Sequence, residues 1–158
     1  MTSIRPADDA DMAAVADLWH EGWHDGHAGH VPAGLTAART RAEFGERVPA
    51  LVPVTTVAEV AGEVAGFVMV AHDEVEQVFV AGPHRGTAVA GTLLDEAERQ
   101  VAAQGYDEAW LAVVTGNARA RRFYERRGWA DGGDLPYEVG AGGATYVSPC
   151  RRYLKRVR

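Results

Sequence analysis

The chain has little that would tie it to an oxidising compartment or to a membrane. Cys150 is the only cysteine among 158 residues, so no internal disulfide can form, as is typical of proteins from a reducing cytoplasm. No apolar run approaches the roughly 20 residues that a membrane-spanning helix needs. Residues 1–9 are polar and acidic, where a secretory signal would be basic and then apolar. We therefore expect a soluble, cytoplasmic protein without a membrane partner.

Low-complexity linkers and internal repeats are also absent. A chain of 158 residues falls within the usual size of one domain. Folding at this length buries about 70% of the surface of the extended chain, so neither a disulfide nor a structural metal is needed for stability. The sequence predicts a single domain over residues 1–158.

The net charge of −6 is unevenly distributed along the chain. Five of the last eight residues are cationic, and removing them leaves the rest of the chain at −11. A basic tail could contact nucleic acid, but the acidic remainder opposes this by repulsion. Arginine and lysine commonly protect the edge of a sheet, so we expect a solvated edge strand and no nucleic-acid partner.

Residues 75–94 have the pattern of a strand, a glycine-bearing turn and the start of a helix. Arg85 and Gly86 lie in the turn. The helix that follows has an apolar face made of Val89, Leu93, Leu94, Ala97 and Val101. Unpaired N–H groups and the positive end of a helix favour an anion, so the segment predicts a site for phosphate or pyrophosphate.

Two common phosphate-binding patterns do not fit this segment. Gly86 and Gly91 have the glycine spacing of a P-loop, but the lysine that reaches the terminal phosphates is missing. The dinucleotide pattern G-x-G-x-x-G is also absent. An NTPase and a Rossmann dehydrogenase are therefore both disfavoured.

The turn resembles the first signature of the GNAT acetyltransferases, Arg/Gln-x-x-Gly-x-Gly/Ala, which wraps the pyrophosphate of coenzyme A. Here the six residues Arg85–Ala90 read Arg-Gly-Thr-Ala-Val-Ala. Ala88 departs from the family pattern, which usually has glycine there. Its Cβ would push a pyrophosphate oxygen outward if the backbone needed close approach or a positive φ. Because alanine favours helix, the helix could also begin slightly earlier.

A second segment, Asn117–Trp129, resembles the GNAT pattern N-x-x-A-x-x-F-Y-x-x-x-G-[FW] at every named position. Asn117 is suited to cap the helix and Gly128 to end it. In the family, the asparagine contacts the pantetheine arm, the alanine at Ala120 lets the arm lie close, and the hydroxyl at Tyr124 sits near the thioester sulfur. Phe123 has the alternative role of a core aromatic.

Periodicity and turn residues predict a mixed α/β (α+β) sheet in the order β-α-α-β-β-β-α-β-α-β-β, which matches the GNAT fold. The predicted elements are a strand at Ser3–Ala7, a helix capped by Asp8 or Asp9, a helix at Thr36–Leu51, strands at Val54–Val60, Val64–Val70 and Glu74–Val80, a helix ending at Gly105, a strand at Trp110–Val114, a helix at Asn117–Arg127, and strands at Tyr137–Gly140 and Tyr146–Val157.

The resemblance implies an acetyl-CoA-dependent N-acetyltransferase in which two central parallel strands splay apart to admit the pantetheine arm. No metal is implied. Transfer would occur by direct attack of an amine in a ternary complex, because Cys150 lacks a nearby partner for a covalent route. The residues that the resemblance assigns to the cofactor are Val78, Phe79, Val80, Arg85, Gly86, Thr87, Ala88, Val89, Ala90, Gly91, Asn117, Ala120 and Phe123.

Three side chains are candidates for proton transfer. The resemblance gives Tyr124 the departing thiolate. Strand alternation places Glu74, Glu76, Val78 and Val80 on one face of their strand, and Glu76 is the first candidate for the base, with Glu74 second. Solvent-facing charge is the alternative role for both glutamates.

The acceptor site is predicted at residues 20–34, where GNAT enzymes build the acceptor wall. Trp23, His24 and His27 are the candidate contacts. His20 and His24 have the spacing of a helical metal-ligand pair, but no H-E-x-x-H motif is present and GNAT chemistry needs no metal. The acceptor is predicted to be a primary amine of a small molecule or peptide, and an acidic protein favours cationic acceptors in the encounter.

Two functions of different class stay open from the sequence. One is an active N-acetyltransferase, and the other is a non-catalytic module that binds acetyl-CoA as a sensor or regulator. Only the enzyme needs Tyr124, a base and an open acceptor cleft. The oligomeric state is also open, with a homodimer as one alternative.

Overall fold

A computed structural model describes all residues 1–158 as a sheet of seven strands flanked by five helices. The strands are β1 (Thr2–Pro6), β2 (Thr55–Val60), β3 (Glu63–Ala71), β4 (Glu74–Val80), β5 (Glu108–Val114), β6 (Ala130–Ala141) and β7 (Ala144–Arg156). The helices are α1 (Met12–His27), α2 (Ala33–Ala38), α3 (Arg41–Leu51), α4 (Val89–Ala103) and α5 (Ala118–Arg126). None of the helices combines the length and apolar character that crossing a membrane requires.

The strand order β1-β2-β3-β4-β5-β7-β6 contains one parallel neighbour pair, β4 with β5. This pair joins at a single position, Glu74 opposite Trp110. On their other sides, β4 pairs antiparallel with β3 and β5 pairs antiparallel with β7. The sheet is therefore continuous at one end of β4 and β5 and open at the other, which confirms the splayed arrangement expected from the sequence.

Each face of the sheet has its own apolar core. Beneath α4, the helix residues Leu93, Leu94 and Val101 pack on the sheet and are fully buried. On the opposite face, Trp19 of α1 and Phe44 of α3 pack with their ring centroids 5.1 Å apart. Burying such side chains contributes about 1.5–3 kcal/mol each. These two cores hold α4 and α1 at fixed positions beside the open end of β4 and β5.

The helix predicted over Thr36–Leu51 is wrong, because two helices occupy this region. α2 ends at Ala38 and α3 begins at Arg41. Thr40 between them is extended, with φ −80° and ψ 163°, and its hydroxyl accepts a hydrogen bond from the Glu43 N–H at 3.2 Å. Threonine at an N-cap competes with helix continuation, so a composition that favours helix throughout conceals the break.

The predicted closing strand Tyr137–Gly140 is too short, since β6 runs from Ala130 to Ala141. Its register against β7 shifts between Asp131 and Asp134, where Gly133 has φ +105°. A bulge of this kind interrupts the alternation of apolar and polar residues from which strands are predicted. The hairpin joining β6 to β7 turns at Gly142 and Gly143 and brings Ala141 against the α1 core.

The close packing around Gly66 of β3 leads to a testable prediction. A Cβ there would lie 2.8 Å from the Phe79 carbonyl oxygen and 2.9 Å from Leu93 Cδ1. Relieving such contacts costs about 1–3 kcal/mol, which exceeds the roughly 0.4–1 kcal/mol that alanine gains by restricting the unfolded chain. Gly66→Ala should therefore lower the melting temperature by several degrees.

The control for this substitution is Gly140→Ala in β6. The nearest atom to a Cβ at Gly140 is the Ala144 carbonyl oxygen at 4.0 Å, so the added methyl group has room. Thermal unfolding of both variants, followed by circular dichroism, measures the difference. Equal melting temperatures for Gly66→Ala and the parent would contradict close packing of β3 under α4.

Candidate functional site

A groove of about 520 Å³ occupies the open end of β4 and β5. Main-chain groups of β4 face it. Because Ala81 N–H donates to the Ala65 carbonyl and antiparallel bonds alternate, Phe79 points its N–H and C=O toward β3. Val78 and Val80 then point theirs toward β5, where the two strands do not pair. The groove therefore has free backbone donors and acceptors along one wall.

The first turn of α4 forms one end of this groove. The N–H groups of Gly86, Ala88, Ala90 and Gly91 donate to no acceptor in the protein. The Thr87 N–H donates to the His84 carbonyl at 3.3 Å, and the Val89 N–H donates to the Thr87 hydroxyl at 3.4 Å. Four free donors at the start of a 15-residue helix are an arrangement that can bind an anion. Gly86 has φ +76°, a conformation that favours glycine.

Ala88 does not strain this turn. Its φ of −73° and ψ of −7° are right-handed helical values, which alanine adopts freely. A positive φ, one of the two conditions under which the Cβ would push a pyrophosphate oxygen outward, is therefore not met. The possibility that the helix simply begins a residue earlier fits the observed conformation better.

Three arginines line the groove of an otherwise acidic chain. Arg85 extends from the turn and donates to Asp25 at 2.6 Å, while Arg119 and Arg126 approach from α5. Sequence reasoning identified Arg85 but missed Arg119 and Arg126. The sequence does contain an indication of them. Residues 119–127 include five arginines in a chain of net charge −6, and they follow the predicted anion site.

Two glycines of α1, both missed from the sequence, let that helix lie against the groove. A Cβ at Gly22 would collide with Phe79 Cδ1, and one at Gly26 would stand 2.8 Å from Asn117 Nδ2. Asn117 in turn caps α5, since its Oδ1 accepts from the Ala120 N–H at 3.2 Å. The contact between α1 and the start of α5 therefore depends on the absence of a side chain at Gly26.

A second cavity of about 330 Å³ lies on the α1 face of the sheet and meets the groove. Its walls come from α1, α2, α3, β4, β5, α5 and the β6–β7 hairpin. The residues that line both spaces are Val78, Phe79, Asn117, Ala120 and Tyr124. A ligand in the groove and a ligand in the cavity would therefore meet at these five residues.

Tyr124 is positioned at this junction by α5. Its ring packs against Trp129 and Tyr153, with centroids 6.2 Å away in each case. The side chain is buried, and no group of the protein forms a hydrogen bond with its hydroxyl. Burial raises the pKa of Tyr124 to about 12. The hydroxyl is therefore protonated at neutral pH and free to donate to a ligand.

Glu74 and Glu76 both line the cavity, but regular alternation does not place them there. The register against β3 shifts so that Gln77 pairs with Met69 and Val75 with Val70, which leaves Glu76 without an opposite residue. Val75 and Val78, three residues apart, both pack on the core beneath α4. The predicted common face for residues 74, 76, 78 and 80 is wrong, because this bulge changes the alternation.

The environment of Glu74 changes its acidity. Burial, together with the negative charges of Glu76 and Asp73, raises the pKa of Glu74 from 4.5 to about 7. Tyr137 of β6 stands beside it in the same cavity wall. A carboxyl group with this pKa exchanges protons near neutral pH.

The predicted acceptor-wall residues divide into two groups. Trp23 and His27 line the cavity and stack in parallel, with ring centroids 4.4 Å apart. Burial lowers the pKa of His27 to about 4, so the imidazole is neutral. His24 lies outside both spaces, since its Nε2 bonds the Arg39 carbonyl at 2.6 Å. No group of three or more His, Cys, Asp or Glu side chains is arranged to hold a metal.

The other predicted cofactor residues differ in how their side chains stand to the groove. The Val89 side chain is buried in the core beneath α4, and Gly91 faces the Arg127 guanidinium. Thr87 lines the groove, but its hydroxyl donates to the His84 carbonyl at 2.5 Å. Phe123 is half-buried and lines the groove. Burial raises the pKa of the Cys150 thiol in the cavity wall, which disfavours a thiolate nucleophile.

Comparisons with solved structures support the fold. An N-acetyltransferase from Staphylococcus aureus Mu50 aligns with a TM-score of 0.75 and 18% identity, over 100% of this chain and 99% of that chain. The paia N-acetyltransferase from Thermoplasma acidophilum, solved with coenzyme A, gives 0.72 and 17%, over 99% of both chains. The putative acetyltransferase yncA from Salmonella typhimurium, solved with acetyl-CoA, gives 0.71 and 19%, over 100% and 95%.

Identities this low show the fold alone, and no curated protein sequence gives a significant match. The family is shown by a different comparison. The model that describes the acetyltransferase (GNAT) family matches residues 13–129, which is most of the chain and includes both signature segments. The chain therefore belongs to the GNAT acetyltransferase family.

Proposed function

We propose that this protein transfers the acetyl group of acetyl-CoA to a primary amine of a small molecule or peptide by direct attack in a ternary complex. The observation that carries the proposal is the meeting of two spaces at Tyr124. One space ends at four free N–H groups, and the other contains two carboxylates. A protein that only bound the cofactor would not need the second space.

The groove fits coenzyme A on features of this chain. The free N–H groups of Gly86, Ala88, Ala90 and Gly91 would hold the pyrophosphate, assisted by Arg85. Beside β4, the main-chain groups of Val78 and Val80 would bond the amides of the pantetheine arm. Acetyl-CoA, when bound, supplies an activated acyl group with a good leaving group.

Charge that develops on the thioester oxygen needs a donor. Free N–H groups of β4 are fixed by the pairing of β4 with β3, so no reorganisation is needed when that oxygen gains negative charge. Tyr124 would donate its proton, or a hydrogen bond, to the departing thiolate. A thiol of pKa about 8.5 leaves without much help, so this contribution is moderate.

The attacking amine must lose a proton. Glu76 would take this proton directly or through water. Glu74 lies in the same cavity, and its carboxyl group becomes charged near neutral pH. For an amine of pKa about 10.4, reaching the free base at pH 7 costs about 4.6 kcal/mol, against about 1.4 kcal/mol for an α-amine near 8. The carboxylates matter more for the more basic acceptor.

The proposed activity is tested with a panel of amines and acetyl-CoA, measuring free thiol release and product mass together. Thiol release that depends on the amine, with a mass increase equal to one acetyl group, is the expected result. Cofactor binding without transfer to any amine would instead favour a sensor or regulatory module.

Coenzyme A should stabilise the folded protein. At a hundred times its Kd, a ligand adds about 2.7 kcal/mol to the free energy of unfolding, so the melting temperature should rise by several degrees. Arg85→Glu should weaken binding at least about tenfold by placing a negative charge at the phosphate site. Calorimetric titration with coenzyme A measures the affinity.

Arg99→Glu is the matched control, because Arg99 lies on α4 outside the groove and pairs with Glu96 at 2.5 Å. It makes the same change of charge and should leave the affinity near that of the parent. If Arg85→Glu and Arg99→Glu bind coenzyme A equally well, the turn before α4 is not the phosphate site.

Tyr124→Phe should lower kcat by about ten- to a thousandfold, the usual range for loss of a general acid whose leaving group is already good. The affinity for coenzyme A should barely change, because the ring and its packing are kept. Steady-state kinetics with the best acceptor of the panel provide the measurement. A phenylalanine variant with the parental kcat would limit the hydroxyl to a structural role.

The raised pKa of Glu74 predicts how turnover depends on pH. Its carboxylate form increases as pH rises through about 7, so kcat/KM should rise there in the parent. In Glu74→Gln this rise in kcat/KM near pH 7 should disappear.

Glu76→Gln should lose activity near neutral pH and recover part of it at higher pH, as the amine deprotonates unaided. A Glu76→Gln profile that superimposes on the parent would remove Glu76 from the mechanism.

Stability gives a second measurement for Glu74. Because its folded pKa lies above 4.5, its contribution to stability is present below pH 4.5 and is lost as pH rises through about 7. Glu74→Gln should therefore melt at a higher temperature than the parent at pH 8, with little difference near pH 4. If the difference in melting temperature is the same at pH 8 and pH 4, the folded protein does not bury Glu74 in its charged form.

A further inference from the structure

The acceptor cavity contains a buried arginine that the mechanism does not use. Arg39 ends α2, is only 6% exposed and lines the cavity. Of its three guanidinium nitrogens only Nη1 donates within the protein, to Glu43 at 2.5 Å, and the buried Nε has no partner. Burying a guanidinium with unused donors is unfavourable unless a ligand or another group accepts them.

Arg47 places a second guanidinium in the same wall. It lies 4.4 Å from the centre of the Trp19 ring and 5.6 Å from that of Phe44. Its Nη1 is 3.5 Å from Glu43, the same carboxylate that Arg39 uses. One carboxylate thus serves two guanidinium groups, and the cluster has a net charge of +1. Burial and the neighbouring Arg39 lower the pKa of Arg47, and they outweigh the opposite effects of Glu43 and Glu76.

The part of the cavity wall that β4 forms is negative, and the charge of Glu76 acts on Arg47. Glu74 and Glu76 project from β4, and His27 is neutral. Between the two walls, most of the lining is apolar and includes Trp23, Leu35 and Val139. A cation such as a polyamine would satisfy the glutamates but would face the guanidinium pair. The overall negative charge of the chain, which favours cationic acceptors in the encounter, therefore does not describe the cavity itself.

We infer that the acceptor is a zwitterion, an α-amino acid with an apolar side chain. Its carboxylate binds Arg39 and Arg47, its amine lies toward the glutamates of β4, and its side chain contacts the apolar wall. This inference rests on the proposed transferase function. Arginine is suited to the role because its planar guanidinium matches a carboxylate with two parallel hydrogen bonds.

The test compares each acid with two analogues that lack the carboxylate. L-phenylalanine, L-leucine and L-methionine are each matched with the corresponding amide and the corresponding decarboxylated amine. The amide is less basic than the amino acid and the decarboxylated amine is more basic, so amine basicity alone cannot favour the acid over both. The kcat/KM for at least one acid should exceed that for both of its analogues by about tenfold or more, the loss expected for a charged hydrogen bond.

Variants connect that preference to the arginines. Arg47→Gln should remove most of the preference for the acid over its amide and its decarboxylated amine by raising the KM of the acid. Arg39→Lys keeps the charge but loses the planar group, and should reduce the preference without emptying the buried site. Arg41→Gln is the matched control on α3, since Arg41 pairs with Asp17 and does not line the cavity.

Calorimetric titration of the three acids into the coenzyme A complex gives a readout that does not depend on turnover. Binding that Arg47→Gln weakens, without acetyl transfer, would support the zwitterion site and overturn the transferase function. Transfer to amides and amines as efficient as to the acids would overturn the zwitterion site and leave the transferase. Neither binding nor transfer for any of the three acids would overturn the zwitterion site.

Discussion

The separation of β4 from β5 after Glu74 and Trp110 is the constraint on which the rest of the structure depends. Two neighbouring parallel strands would normally bond along their whole length. Here the main-chain groups of Val78 and Val80 are left without a strand partner, and such groups are costly to bury unpaired. The gap must therefore hold water or a ligand. Antiparallel pairing of β4 with β3 and of β5 with β7 keeps the two strands in place despite the gap between them.

Two helices and the β6–β7 hairpin surround the gap, keep it open and limit its extent. α4 begins at one end with donors that no carbonyl accepts, and α1 crosses it at Gly22 and Gly26 because neither residue has a side chain to fill it. The β6–β7 hairpin covers the far side of the adjoining cavity with Tyr137 and Val139. The groove is therefore cationic, the cavity carries charges of both signs, and a few shared residues lie between the two spaces.

Much of this arrangement could be predicted from the sequence, because local signals and the final fold agree there. The β4 boundaries and the Asn117 cap were correct to the residue. Thr40 was missed because a cap inside a helix-forming composition gives no change of periodicity. The bulge at Glu76 was missed because both glutamates seemed to fit simple alternation, and only pairing with β3 reveals the extra residue.

The arginine pair was hidden from the sequence for a different reason. Arg39 and Arg47 are eight residues apart on opposite sides of the break at Thr40, so a single predicted helix did not bring them to one wall as a buried pair. Their position depends on how α2 and α3 pack against Trp19 and Trp23. Burial and an unmatched donor are properties of the folded chain, and composition alone reports these residues as ordinary surface charge.

The five residues shared by the groove and the cavity have a consequence for the order of events. A group lying against Val78, Phe79 and Tyr124 from the groove side becomes part of the wall that an occupant of the cavity meets. Each ligand then changes the surface offered to the other, so their affinities are linked by the same factor in both directions. For the proposed transferase, the acceptor would therefore bind with a different affinity once acetyl-CoA fills the groove.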